Sequence, residues 1–323
     1  MSPTDPDPVL GAQHPIRLAA RRINGHVNHT PLLECDLHRE LRLKLECWQV
    51  SGSFKARGAF NALLSLDPPP HGVVTVSSGN HGQAVALAAR TLSVAATVVI
   101  PEGANPYKVE SIRGLGAEVV QSGVTFDNRM QVAQRVAHDR NLVMVHPYDD
   151  WDVIHGQGTV ALEMLEQDPR IRTLVAPVGG GGLLSGTSLT ARALDPEIKI
   201  VGVEPAGADD AARSLGSGRH CRLASAPATS ADGLRSLSLG DRGFAVLVGA
   251  GGADAIVTVD EEQIGAATAL AWTRLKLALE PSAALPLAAF SAGLLDRMPA
   301  PWGLILSGGN FDPAVVAGML GLT

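Results

Sequence analysis

The sequence predicts an α/β fold in which mostly parallel, helix-covered sheets make two lobes. Two observations predict it. Short β-branched runs recur along the chain, each followed by a glycine-rich or polar turn and then an alanine-rich helical stretch; strands that alternate with helices in this way pair in parallel and bury both faces. The stretch 66–146 is a self-contained series of such units, opened by Pro68-Pro69-Pro70 and closed by His146-Pro147. Segments 1–65 and 147–323 are then expected to pack together as one large discontinuous domain, with 66–146 as a small domain beside it.

The units run in order. A strand over 73–76 leads through Ser77-Ser78-Gly79-Asn80-His81-Gly82 into a helix over 83–90. A strand over 97–100 is closed by Pro101, which cannot continue a ladder. A helix over 108–115, a strand over 118–121, a helix over 127–138 and a strand over 142–145 complete the block. After it, the strand 174–178 runs into Gly179-Gly180-Gly181-Gly182, then a helix to residue 194 and a strand over 199–203. The segment 206–239, rich in Gly, Ser and Ala, is expected to be irregular with short helices. The last strand, 304–306, ends at Ser307-Gly308-Gly309-Asn310.

Composition excludes several function classes. The chain has 323 residues, 46% hydrophobic and 18% charged, with a net charge of -6 and no basic run, which argues against nucleic-acid or acidic-membrane partners. Cys35, Cys47 and Cys221 lie far apart with no Cys-x-x-Cys spacing, as expected in a reducing compartment. No stretch approaches the apolar length of a membrane span. The stretch 1–8 is polar, reads as a frayed end, and lacks the basic and apolar regions of a signal peptide. A cytoplasmic setting is expected.

Five segments carry residues suited to chemistry. In Ser51-Gly52-Ser53-Phe54-Lys55-Ala56-Arg57-Gly58-Ala59, a lysine sits among small residues and an aromatic at the head of an apolar helix. Burial there would disfavour the ammonium and free a neutral amine for a Schiff base, although a plain helix-start lysine reads equally from these residues. Four glycines directly after a strand can aim several N–H groups at one anion, helped by the helix N-terminus that follows. That pattern points to phosphate but not to a nucleotide, because neither a Gly-x-x-x-x-Gly-Lys-Ser/Thr nor a complete Gly-x-Gly-x-x-Gly signature is present. The Ser77-Ser78-Gly79-Asn80-His81 turn suits a substrate carboxylate, or is simply a helix cap. Ser307 could cap a helix or face a ring nitrogen. Glu204-Pro205-Ala206-Gly207-Ala208-Asp209-Asp210 could hold a hard divalent cation, and on its own reads better as a solvated acidic loop.

In this order the five segments resemble the fold-type-II enzymes that use pyridoxal 5'-phosphate, in particular the serine/threonine dehydratase and serine racemase branch. Ser-Phe-Lys-x-Arg-Gly-Ala, Ser-Ser-Gly-Asn-His-Gly-Gln and the tetraglycine carry the resemblance, which spans Thr30-Pro31-Leu32 to the Ser307 loop. It implies a fold like that of tryptophan synthase β: two open, twisted, mostly parallel sheets flanked by helices, with the cofactor between the domains. It implies Lys55 as the Schiff-base lysine, Phe54 against the cofactor ring and Gly179, Gly180, Gly181 and Gly182 as the phosphate cradle. Asn80 would partner the ring oxygen and Ser307 the ring nitrogen, with Ser77, Ser78, Asn80 and His81 around the substrate carboxylate. The branch also makes the metal reading the better one at the acidic loop, with Mg2+ or Ca2+ on Glu204, the carbonyl of Ala208 and Asp210.

The activity implied is elimination of water from a small β-hydroxy-α-amino acid (serine or threonine, or hydroxyaspartate or phenylserine) to give a 2-keto acid and ammonia. Lys55 would move the α-proton. Ser307, in place of a carboxylate, would leave the ring nitrogen uncharged and favour loss of the β-hydroxyl over transamination. Ser78 matches the serine that racemases use on the opposite face, so serine or aspartate racemisation is the nearest alternative; a silent cofactor-binding module is the alternative from outside the enzymes. Thr229-Ser230-Ala231-Asp232-Gly233 and Glu280-Pro281-Ser282-Ala283 read as structural landmarks. Two departures from the branch stand out: the segment 35–42 is short, and His155 stands where a small apolar residue is expected, read as a satisfied buried histidine in preference to a pocket-lining one. Arg129 matches a position that in the racemase branch approaches a distal substrate carboxylate, with a surface ion pair as the competing reading. The family suggests a homodimer, and the end of the chain soon after Ser307 implies no isoleucine-responsive domain.

Overall fold

The computed structural model describes residues 11–319, so the 1–8 stretch lies outside the described residues. Among the described residues, ten strands make two sheets: β1 (Leu32–Glu34), β2 (Leu41–Leu45), β3 (Gly72–Val76), β4 (Ala95–Val99), β5 (Glu118–Val120), β6 (Val143–Met144), β7 (Thr173–Pro177), β8 (Lys199–Pro205), β9 (Ala255–Val259) and β10 (Trp302–Leu306). The larger sheet has the order β1-β2-β10-β7-β8-β9 and the smaller β5-β4-β3-β6. Every pair is parallel except β1 with β2. All four strands of the smaller sheet come from residues 72–144.

Helices cover the sheets: α1 (Pro15–Ile23), α2 (Lys55–Ser65), α3 (Asn80–Thr91), α4 (Pro106–Gly114), α5 (Arg129–Arg140), α6 (Trp151–Gln167), α7 (Gly182–Leu194), α8 (Asp210–Ser217), α9 (Asp241–Phe244), α10 (Glu261–Leu270), α11 (Pro281–Ser291) and α12 (Pro313–Met319). Strands buried on both faces explain the near-continuous apolar runs. In β10, Leu304 and Leu306 pack with α10 and α11 on one face, while Ile305 packs with α6 and α7 on the other. The irregular stretch expected after β8 contains only α8 and a single 3-10 turn at Asp232–Leu234.

Helix α2 ties the sheets together. Its Ala59, Phe60 and Leu63 belong to the core of the smaller sheet, packed with Val73, Ala84 and Val98. Its polar side holds Arg57, which is fully buried and donates to Glu46 Oε2 at 2.8 Å and to Glu163 Oε1 at 2.6 Å. Lys44, also fully buried, donates to Glu163 Oε2 at 2.8 Å. The cluster matches two cations with two carboxylates; breaking one such buried pair costs about 3–5 kcal/mol through the charge left unpaired. The helix that begins at Lys55 is therefore anchored on both sides.

Candidate active site

Parallel sheets place ligands beyond the carboxyl ends of their strands, and three such ends converge here. The Ser77–Asn80 turn follows β3, the tetraglycine follows β7 and Ser307 follows β10. All three line one cavity of about 240 Å³, and Phe54 and Lys55 line it too. The insertion of β10 between β2 and β7 brings the last strand to the middle of the sheet. Its Ser307 carbonyl then accepts the Phe54 N–H at 3.0 Å, and Ser53 bridges Gly308, so the lysine loop and the serine loop are stitched together.

Lys55 Nζ lies 5.1 Å from the Phe54 ring centre and donates to the Pro147 carbonyl at 2.7 Å. Burial strips the ammonium of water and lowers its pKa from 10.5 to about 8, with the Glu280 carboxylate partly opposing the drop. Asn80 begins α3. Its Oδ1 accepts from Asn310 at 2.8 Å and its Nδ2 donates to Glu280 Oε1 at 2.6 Å. Ser77 Oγ accepts the Gly79 N–H at 3.1 Å, folding the turn that presents Ser78 to the cavity. His81 is buried, and burial holds it well below the usual imidazole pKa, hence neutral. Its Nε2–H goes to the Val145 carbonyl, 3.3 Å away, and Nδ1 has no hydrogen-bond partner among the described residues.

The tetraglycine is required by space as well as by φ. A Cβ on Gly180 would lie 2.3 Å from the Tyr148 ring, and Gly181 adopts φ +87° before α7 starts at Gly182. Ser236 Oγ, buried and without a hydrogen-bond partner among the described residues, faces Gly179. The α7 N-terminus and this spare hydroxyl form a cradle suited to an anion.

Sequence reasoning missed part of the wall. Glu280, read as structural, is 2% exposed and lines the cavity with one oxygen, Oε2, unpartnered. Burial raises its pKa to about 7, with Lys108 and Asn80 pulling the other way. Asp232, also read as structural, lines the cavity and pairs with Lys108 of α4. The only available signal was an acid placed directly before Pro281 and an apolar helix. Arg129 faces the cavity, where its guanidinium stacks 3.6 Å from the Phe126 ring centre and donates to the Phe126 carbonyl. His155 is half-buried, stacks on Trp151 at 5.7 Å and is not part of the cavity wall.

The expected metal residues gather elsewhere, at the end of β8 and the start of α8. Glu204, a strand residue rather than a loop residue, accepts the Ala211 and Ala212 N–H groups at 3.1 and 2.8 Å. Asp210 is buried with Oδ2 unpartnered. Burial and mutual repulsion raise Glu204 to about 9, and burial raises Asp210 to about 6. Among the described residues, no three His, Cys, Asp or Glu side chains cluster as metal ligands. No helix among them is long and apolar enough to cross a membrane.

Residues 23–308 match the family described as pyridoxal-phosphate dependent enzyme. A serine racemase of Oryza sativa subsp. indica is 41% identical, covering 94% of this chain and 92% of its own. An L-threo-3-hydroxyaspartate ammonia-lyase of Saccharomyces cerevisiae is 39% identical, covering 91% of each. Among solved structures, a threonine deaminase of T.th. superposes with TM-score 0.89 at 46% identity, covering 94% of this chain and 99% of that one.

Proposed function

The chain belongs to the family of pyridoxal-phosphate dependent enzymes, and from that premise we propose that it is an ammonia-lyase acting on a small β-hydroxy-α-amino acid. It releases water, then a 2-keto acid and ammonia. The observation that carries this reading is Lys55: a half-buried lysine at the cavity wall, its pKa lowered to about 8, in one cavity with a glycine cradle, an asparagine and a neutral serine. The residues fit the cofactor. The spare Ser236 hydroxyl and the glycines whose Cβ positions are filled by Tyr148 and Leu239 suit its phosphate.

When bound, pyridoxal phosphate supplies an electron sink for the substrate's α-carbon. Gly179, Gly180, Gly181 and Gly182 would hold its phosphate, Asn80 its ring oxygen and Ser307 its ring nitrogen, with Phe54 against the ring. Lys55, neutral over part of the physiological range, takes the α-proton as general base. Ser77, Ser78, Asn80 and His81 surround the substrate carboxylate; His81, with its Nε2–H committed to Val145, contributes there through its backbone at the α3 N-terminus. A hydroxyl at Ser307 offers no counter-charge for a protonated ring nitrogen, which favours loss of the β-hydroxyl.

Racemisation of serine or aspartate is the second reading, supported by Ser78 at the cavity wall. A screen of keto-acid release over serine, threonine, 3-hydroxyaspartate and phenylserine, with chiral analysis of the remaining amino acid, separates the two. Keto acid in excess is expected. Enantiomer formed at a matching rate would replace the lyase reading, and a colourless protein that takes up no cofactor would end both.

The proposal extends to the setting. We place 66–146 as a substrate-gripping domain against 1–65 with 147–323, in a homodimer. The three free cysteines support a reducing, cytoplasmic location. A Mg2+ or Ca2+ ion is proposed on Glu204, the Ala208 carbonyl and Asp210, supported by the Asp210 oxygen that has no hydrogen-bond partner among the described residues.

A further inference from the structure

The orientation of an asparagine amide is decided by its neighbours, and at Asn80 the chain of neighbours ends on a backbone atom. Asn310 Nδ2 lies 2.8 Å from the Ser51 carbonyl and 2.8 Å from Asn80 Oδ1. A carbonyl can only accept, so the end of Asn310 turned towards Ser51 must be its nitrogen. That nitrogen has a second hydrogen, and the Asn80 atom that receives it must be the oxygen. The Asn80 nitrogen is thereby left facing Glu280 Oε1 at 2.6 Å, with one N–H spare. The other end of Asn310 lies against Gly52: its Oδ1 is 2.3 Å from where a Gly52 Cβ would sit, and Gly52 has φ +73°. Asn310 therefore joins the turn leading to Lys55, the Ser307 loop and the head of α3.

We propose that Asn310 is a positioning residue that fixes the Asn80 amide nitrogen-inward and so sets the protonation of the cofactor's ring oxygen. The inference rests on the placement of that oxygen beside Asn80 given under Proposed function. A donor facing the ring oxygen stabilises it deprotonated. An acceptor in the same place would require it to keep its proton, and the two forms absorb in different bands, visible and near-ultraviolet.

The test uses the cofactor-loaded full chain. In Asn310→Asp, a carboxylate meets the Asn80 oxygen, so the amide turns over and presents oxygen inward, where it accepts from Glu280 in its protonated form. The ratio of visible to near-ultraviolet absorbance is expected to fall about fivefold near neutral pH, the effect of one hydrogen bond of ordinary net strength. Asn310→Ser, which removes the donation without repulsion, should give a smaller fall in the same direction, and it decides the matter if Asn310→Asp does not fold. Cofactor content and melting temperature are recorded alongside, since a merely structural role would move these and leave the band ratio alone. Folded variants with the wild-type ratio across pH overturn the role of Asn310. A wild type without a visible band overturns the cofactor placement, and the inference with it.

Discussion

At the scale of single residues, the chemistry depends on how far burial shifts one amine. An exposed lysine is protonated up to about pH 10.5, whereas Lys55 loses its proton near 8. Only the neutral amine attacks an aldehyde. The sign follows: below about 8 the reactive fraction of Lys55 grows about tenfold per pH unit, and above it the fraction saturates. Stripped of cofactor, the protein should therefore regain its visible absorbance at a rate that climbs with pH and levels near 8. Stopped-flow absorbance reads the break directly, and a rate still climbing towards 10.5 would show that Lys55 is not desolvated. Lys55→Ala should lower keto-acid release by about 10³-fold or more, the usual size of a lost general base combined with lost attachment.

At the scale of elements, close helix contact decides what can change. Helices α6 and α7 touch through glycines: a Cβ on Gly186 would lie 2.4 Å from the Ile154 carbonyl oxygen and 2.5 Å from the Gly158 nitrogen. These are backbone atoms and cannot swing aside, so Gly186→Ala should cost about 3 kcal/mol by overpacking, measured by denaturant titration. A loss within error would mean that the helices can part. The β8–α8 junction carries a second prediction. If a cation binds Glu204 and Asp210, Mg2+ or Ca2+ at about a hundredfold excess over its Kd adds about 2.7 kcal/mol. Melting temperature should then rise over the chelated protein, and Glu204→Gln with Asp210→Asn should abolish the rise. No rise in the wild type removes the metal assignment. Legibility also belongs to this scale. Strands such as β3 and β7 were readable because both faces are apolar and a glycine or serine turn follows. Strand β2 was not, because Leu41-Arg42-Leu43-Lys44-Leu45 reads as half-exposed, yet Arg42 and Lys44 are buried against Asp168 and Glu163, partners far away in the chain. Helices α6, α10 and α11 were not foreseen either. The boundary drawn at residue 66 cuts between α2 and the core that its Ala59, Phe60 and Leu63 help to build.

At the scale of the whole molecule, the site is the meeting of two sheets, and that is why only half of it could be read. Lys55, Asn80, the tetraglycine and Ser307 sit at local turns and helix starts with recognisable chemistry; Glu280, Asp232, Lys108 and Tyr148 line the same cavity from parts of the chain that carry no such signal. Besides the apolar packing of α2, polar contacts join elements of the smaller sheet to the rest: Lys108 with Asp232, Asn80 with Glu280 and with Asn310, and Asn105 Nδ2 donating to Asp312 Oδ2 at 2.6 Å. The last lies outside the cavity wall and isolates closure from chemistry. Asn105 also caps α4 by accepting the Tyr107 N–H at 2.9 Å, and serine does that equally well. Asn105→Ser therefore keeps the helix and deletes only the donation to Asp312. Weakening closure by about 1 kcal/mol lowers the binding-competent fraction about fivefold, so KM should rise by that factor while kcat and melting temperature hold. An unchanged KM would mean that the sheets are locked together by the α2 packing and the remaining polar contacts, and a fall in kcat with KM constant would place Asn105 in the chemistry instead.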